Sequence, residues 1–217
     1  MLDLVLPLEC GGCGTASTRW CPRCARELTV RDDEPHLITP RTDPGIPVFA
    51  LGRYAGARRR AIVAAKEHGR ADLLPPLANA LNCGLERLLT WGIVVAPLTV
   101  VPAPTRRSAA RRRGGDPVTR IAVSATAGLP GVTTIPALRL RPWVRDSVGL
   151  PGGDRQRNLA GRIRLTQAGA RRLTNGAGGD VVLVDDVVTT GATVTESVRT
   201  LRKSGVDVSA MLAIAHA

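Results

Sequence analysis

The sequence predicts an α/β protein, a parallel sheet flanked by helices with a small cysteine-rich module at the N-terminus. Three observations carry that prediction. Val181-Val182-Leu183-Val184, an unbroken aliphatic run after Gly179-Asp180, has the composition of a strand buried on both faces. Asp185, Asp186 and a Thr/Gly-rich turn follow it, and then a helix expected over about residues 193–203. Two Cys-x-x-Cys pairs stand near the start of the chain, away from the apolar segments. A length of 217 residues accommodates one substantial core and a small appended unit.

The first unit, residues 1–30, is built around Cys10-Gly11-Gly12-Cys13 and Cys21-Pro22-Arg23-Cys24. Each pair can form a tight knuckle that points two sulfurs at one ion. Four thiolates complete a tetrahedral site, which holds together a segment too short to fold on a core of its own. Cys10, Cys13, Cys21 and Cys24 are therefore the candidate ligands of a structural Zn²⁺ in a zinc-ribbon-like module, with disulfide or redox use as the alternative. The gap between the pairs is shorter than the roughly 15–20 residues common in such modules, so the site must be compact. Cys83, alone in an expected helix, reads as a small buried apolar residue.

Residues 31–47, with Arg31-Asp32-Asp33-Glu34-Pro35 and further prolines, have linker composition. The main domain is expected over 48–217. Its pattern predicts strands at 48–54, 98–101 and 206–214, and helices at 57–67, 73–89 and about 117–126. Between 128 and 165 the periodicity weakens to two short strands, 132–135 and 163–165, joined by a long loop of the kind that serves as a lid.

Ligands of open parallel sheets bind beyond the carboxyl ends of the strands, where Asp185 and Asp186 are expected to emerge. Carboxylates there accept hydrogen bonds from vicinal hydroxyls, or hold an ion such as Mg²⁺ through water. The turn Val187-Val188-Thr189-Thr190-Gly191-Ala192-Thr193 offers backbone N–H groups, three hydroxyls and a glycine that lets a phosphate approach closely. A diol at one end and a phosphate monoester at the other describe ribose 5-phosphate. The alternative is a buried strand ending in two acids, with Thr193 capping a helix. A second strand end, Val101-Pro102-Ala103-Pro104, precedes Arg106, Arg107, Arg111, Arg112 and Arg113. Guanidinium forks at such a turn suit pyrophosphate, whereas most charge runs are solvated surface.

Over residues 182–193 the sequence resembles, without departure, the phosphoribosyl-pyrophosphate (PRPP) signature of type I phosphoribosyltransferases. A narrower resemblance covers nearly the whole chain. The paired knuckles, Tyr54 with Lys66 downstream, Val101-Pro102-Ala103-Pro104 followed by Arg-x-Arg-Gly, Arg155 to Asn158 and the C-terminal loop are similar to the ComF family, phosphoribosyltransferase-like proteins linked to competence and DNA utilisation. The resemblance implies a type I phosphoribosyltransferase-like fold, catalytic roles for Asp185 and Asp186, and PRPP contacts from Val187, Val188, Thr189, Thr190, Gly191, Ala192 and Thr193. It further implies a pyrophosphate pocket of Lys66, Pro102, Ala103, Arg111 and Arg113, and a closing segment bearing Arg155 and Asn158. Mg²⁺ would accompany PRPP, pyrophosphate would leave, and the acceptor is not named by the sequence; a homodimer is an expectation from analogy. The chain departs from the family at Gly114-Gly115-Asp116-Pro117, Ser147 and Arg162, positions where amide and aromatic groups that contact a base are usual.

A formal charge of +12 favours polyanionic partners: PRPP, pyrophosphate, nucleic acid or an anionic membrane surface. A non-catalytic module of DNA uptake that binds single-stranded DNA is thus the second reading, and a PRPP sensor without turnover the third. An aromatic fraction of 2% counts against a base-stacking groove. His36, His68 and His216 form no nucleophile–base pattern with Ser, Asp or Cys. Residues 1–8 lack the basic leader and cleavage site of a secretion signal, and 91–101 is too short for a bilayer and broken by Pro97, so no transmembrane segment and a cytoplasmic location are expected.

Overall fold

The structure is a computed structural model that describes residues 8–105, 116–141, 161–175 and 179–217. In chain order it comprises helix α1 (Pro22–Leu28), strands β1 (His36–Ile38) and β2 (Val48–Ala50), and helices α2 (Gly56–Glu67) and α3 (Leu74–Thr90). Strand β3 (Leu98–Pro102), helix α4 (Pro117–Thr126) and strands β4 (Val132–Thr134), β5 (Leu138–Leu140) and β6 (Ile163–Leu165) follow. Helix α5 (Gln167–Asn175), strand β7 (Asp180–Val188), helix α6 (Ala192–Arg202) and strand β8 (Ala210–His216) complete it. Six strands form one sheet in the order β1-β2-β8-β7-β3-β4, parallel throughout except for β1 against β2, while β5 and β6 pair as a separate antiparallel ribbon.

The aliphatic runs make this arrangement possible because both sheet faces are covered. Alternate residues of the central strands enter different cores: Val100, Val182, Val184 and Leu212 pack under α2, α3 and α4, whereas Val101, Leu183, Met211 and Ala213 pack under α6 and the β5–β6 ribbon. Helix α3 presents Leu74, Leu77, Leu81, Leu85 and Leu88 as one buried stripe. Cys83 stands on the opposite side of that stripe and is exposed, which corrects the expectation of a buried residue: two residues from Leu81 is about 200° of helical rotation. No helix among the described residues is long and apolar enough to cross a membrane.

Residues 31–47, expected as a linker, instead supply β1 and a run of contacts that join it to the sheet. Glu34 is buried and accepts hydrogen bonds from the Arg31 backbone N–H at 3.0 Å and from Arg31 Nε at 3.2 Å. Thr42 donates its backbone N–H to the Thr190 carbonyl at 2.8 Å. Proline-rich composition reports only that the chain is not helical there; sheet pairing of three residues is below what periodicity can resolve. The strand expected over 48–54 stops at Ala50, and the last strand begins at Ala210 rather than 206.

Candidate functional site

Strand β7 runs further than its aliphatic residues predict. Parallel pairing with β8 continues from Val182 opposite Ala210 to Val188 opposite His216, so Asp185 and Asp186 lie within the strand rather than past its end. The alternation of faces changes phase across the pair. Val182 and Val184 belong to the α2/α3 core, but beyond the aspartates it is Val187 that joins that core and Val188 that joins the other. The Asp186 backbone N–H is taken by Asp185 Oδ1 at 2.8 Å, a side-chain bond in place of a regular pleat.

The two carboxylates have different surroundings. Asp186 is buried, and its Oδ2 lies 2.7 Å from Lys66 Nζ at the end of α2. Among the described residues no donor is well aligned for a hydrogen bond to that oxygen, so the contact is chiefly one of charge with charge. Burial pulls the Lys66 ammonium down, but the attraction of Asp186 and then Asp185 outweighs it and holds the group above the ordinary lysine value. Asp185 is half-buried, and its carboxyl is pushed well above the usual carboxylate range, first by burial and then by the adjacent Asp186, against the opposing pull of Lys66.

Asp185 therefore carries a testable energetic signature. The folded chain holds its proton more tightly than the unfolded chain does. The group's contribution to stability is thus fully present below the ordinary carboxylate pKa and is lost as pH rises through the raised folded value. At neutral pH that contribution is diminished, because the unfolded chain is free to ionise the group and the folded chain resists it. Asp185→Asn keeps an oxygen for the Asp186 N–H and is expected to raise Tm at pH 7, by about 2–4 °C for each kcal/mol relieved. Thermal melts between pH 4 and 8 should show the gain shrinking as pH falls; a lower Tm at neutral pH would contradict the assignment.

The turn after β7 is fixed by a glycine. Gly191 caps α6 with φ +85°, and a Cβ there would meet the Thr42 carbonyl oxygen at 2.6 Å and Pro40 Cβ at 2.8 Å. Both the left-handed backbone and the close approach of the 40–42 segment require glycine. The Thr190 hydroxyl accepts from the Ala192 N–H at 3.4 Å, and the first N–H groups of α6 have no acceptor inside the helix. At the neighbouring strand end, the Ala103 N–H bonds the Val184 carbonyl at 2.8 Å, which sets the Pro102-Ala103 turn beside the start of the acidic pair.

The sequence-derived residues Asp185, Asp186, Lys66, Pro102, Ala103 and the 187–193 turn are thus brought to the carboxyl ends of β3 and β7. Arg111, Arg113, Arg155 and Asn158 lie outside the described residues. Residues that sequence reasoning missed also reach the turn. A cavity of about 320 Å³ is lined by Thr39, Pro40, Arg41, Thr189, Thr190 and His216, among others. Arg41 has no signal beyond its place in apparent linker, whereas His216 is the last residue of β8 and lies past the strand end expected at 214. Burial, with the nearby Arg53 and Arg58 guanidinium groups, lowers the His216 pKa, so its imidazole is neutral at pH 7 and available for hydrogen bonding.

A second centre lies in the N-terminal module. The sulfurs of Cys10, Cys13, Cys21 and Cys24 all lie within 4.8 Å of one another and are positioned to bind a metal. Cys10, Cys21 and Cys24 are buried and Cys13 is exposed. Backbone N–H groups already point at sulfur: Cys21 N–H to Cys10 Sγ at 3.3 Å, and Cys24 N–H to Cys21 Sγ at 3.5 Å. The Thr15 hydroxyl and backbone N–H hold the Cys13 thiol down to about 6, while burial and the surrounding sulfurs push Cys24 up. A Cβ on Gly12 would fall against Cys24 Sγ, which explains glycine in the first knuckle. The module is docked on the main domain: Leu28 enters the α2/α3 core, Ala57 N–H bonds Glu27 Oε2 at 3.1 Å, and Arg60 Nε donates to the Gly12 carbonyl.

No protein-family model matches the chain, and no curated protein matches it.

Proposed function

We propose that the chain is a phosphoribosyltransferase-type protein of the ComF kind, which binds the ribose 5-phosphate part of PRPP at the turn between β7 and α6. The supporting observation is the left-handed, sterically locked Gly191 between a strand bearing two carboxylates and a hydroxyl-bearing helix start whose first N–H groups have no acceptor inside the helix. In this reading the 5-phosphate takes the N–H groups and hydroxyls of Thr189, Thr190 and Thr193, and Asp185 accepts from a ribose hydroxyl. Asp186 keeps Lys66 oriented at the mouth of the site, where its ammonium faces the diphosphate. Mg²⁺, when bound with the diphosphate, supplies charge neutralisation as pyrophosphate leaves. The remaining demand on the protein is electrostatic support of a departing polyanion, which cationic side chains provide without a dedicated base.

The metal of the N-terminal module is, in the same proposal, a structural zinc ion. Four sulfurs, most of them buried, with N–H···S bonds already in place match the closed donor set that zinc takes when it holds a fold together. Thiols kept for a metal fit a reducing, cytoplasmic setting. The +12 charge supports the second reading, a module gripping single-stranded DNA.

Titration calorimetry with PRPP and Mg²⁺ separates these readings. Saturable binding is expected, falling on the order of a hundredfold in Asp185→Asn plus Asp186→Asn as the Asp185 bond to the ribose and the charge that holds Lys66 in place are both lost. Binding of single-stranded DNA that falls steeply with salt, without any response to PRPP, would favour the second reading instead.

A further inference from the structure

We propose that the chain holds a second phosphoryl-binding site, separate from the β7–α6 turn, in the cavity between the β5–β6 ribbon and the start of α5. The cavity is about 320 Å³ and is lined by Arg139, Arg164 and Arg172, with Pro136, Thr166 and Gln167. Arg139 on β5 and Arg164 on β6 are cross-strand partners in register. Like charges set directly opposite in an antiparallel pair destabilise it, so this ribbon carries a repulsion that opposite charge would relieve. Neither arginine, nor Arg172 from α5, has a carboxylate partner among the described residues, and no acidic side chain lines the cavity.

The ribbon is nevertheless held rigidly. Leu138 and Ile163 are buried in the core beneath it, and Ala137 packs so closely on α5 that a Cβ on Gly169 would meet the Ala137 Cα at 2.5 Å. The arginines are therefore displayed from a fixed frame rather than from a loose loop. The Thr166 hydroxyl oxygen already accepts from the Gly169 N–H at 3.0 Å, which leaves its hydrogen to donate into the cavity. Three forked cations and a hydroxyl donor suit a doubly charged phosphoryl group better than a carboxylate. With no aromatic residue in the lining there is no stacking surface for a base, so the group recognised is the phosphate of a small molecule rather than an extended strand of nucleic acid.

Arginine side-chain NMR tests this with inorganic phosphate as the probe, at constant ionic strength against a chloride control. The Nε signals of Arg164 and Arg172 are expected to shift along a saturable curve. Affinity should drop on the order of tenfold for each of Arg164→Gln and Arg172→Gln. Gly191→Ala, whose added Cβ meets Pro40 and Thr42 and no residue lining the arginine cavity, should leave the curve of the folded protein unchanged, so failure of the ribose 5-phosphate reading and failure of this one are distinguishable. All three arginines are exposed, and circular dichroism of each variant confirms that the fold is kept. Shifts that rise linearly and equally with chloride, or arginine variants that bind as tightly as the parent, would overturn the site. So would shifts driven by an oligodeoxynucleotide but not by phosphate, which would make this face a nucleic-acid track.

Discussion

Cys24→Ser is expected to abolish metal retention and unfold the N-terminal module. Cys24 is fully buried in the sulfur cluster, beside Gly12 and Trp20. Structural zinc in small modules contributes apparent binding free energies of about 10–16 kcal/mol, most of the folding energy of such a segment. Metal analysis of the purified variant should fall from about one equivalent to near zero, with new protease cleavage between α1 and the preceding knuckle. Cys13→Ser should be milder, because Cys13 is exposed and solvent can complete the donor set. Cys83→Ser, on the exposed side of α3, should change neither readout. A Cys24→Ser protein that keeps its metal would remove the tetrathiolate account.

Gly191→Ala is expected to abolish ribose-phosphate binding and to destabilise the fold by about 2–4 kcal/mol. A left-handed conformation at a non-glycine residue costs roughly 1–2 kcal/mol. The added Cβ also meets backbone, the Thr42 carbonyl oxygen at 2.6 Å, which has no side-chain freedom to yield. Either the 40–42 segment or the turn must move, and Thr42 then loses its bond to the Thr190 carbonyl. Gly205→Ala provides the comparison. Gly205 has φ +75° but, among the described residues, no atom within 4 Å of an added Cβ, so only the backbone cost remains and binding should be unaffected. Denaturant melts read the stability difference, and calorimetry with PRPP reads the binding. Equal behaviour of the two variants would show that the approach of 40–42 to the turn is not what Gly191 serves.

The elements most legible in the sequence were those whose pattern is local and long. Helix α4 runs over Pro117–Thr126 as expected, because Asp116 caps it, Pro117 opens it, and Val118, Ile121, Ala122 and Ala125 form a clean apolar stripe. The strand–turn–helix around Gly191 and the cysteine knuckles were legible for the same reason: glycine, hydroxyl and sulfur positions encode geometry directly. Less was legible where tertiary pairing decides. Strand β7 continues through two carboxylates because β8 pairs with it to Val188, although two acids end a strand on local preference. The pairing of Asp186 with Lys66 joins residues distant in the chain, and no spacing rule announces it. Arg41 was hidden by proline-rich surroundings, since composition cannot tell a linker from a segment laid across the turn after β7.

A crystal structure of the protein soaked with PRPP and Mg²⁺ tests directly whether ribose 5-phosphate sits between β7 and α6. The 5-phosphate is expected within hydrogen-bonding distance of the backbone N–H groups of residues 190–193, with Asp185 on the ribose hydroxyls. Electron density for the ligand at the arginine cavity alone, with none between β7 and α6, would contradict it.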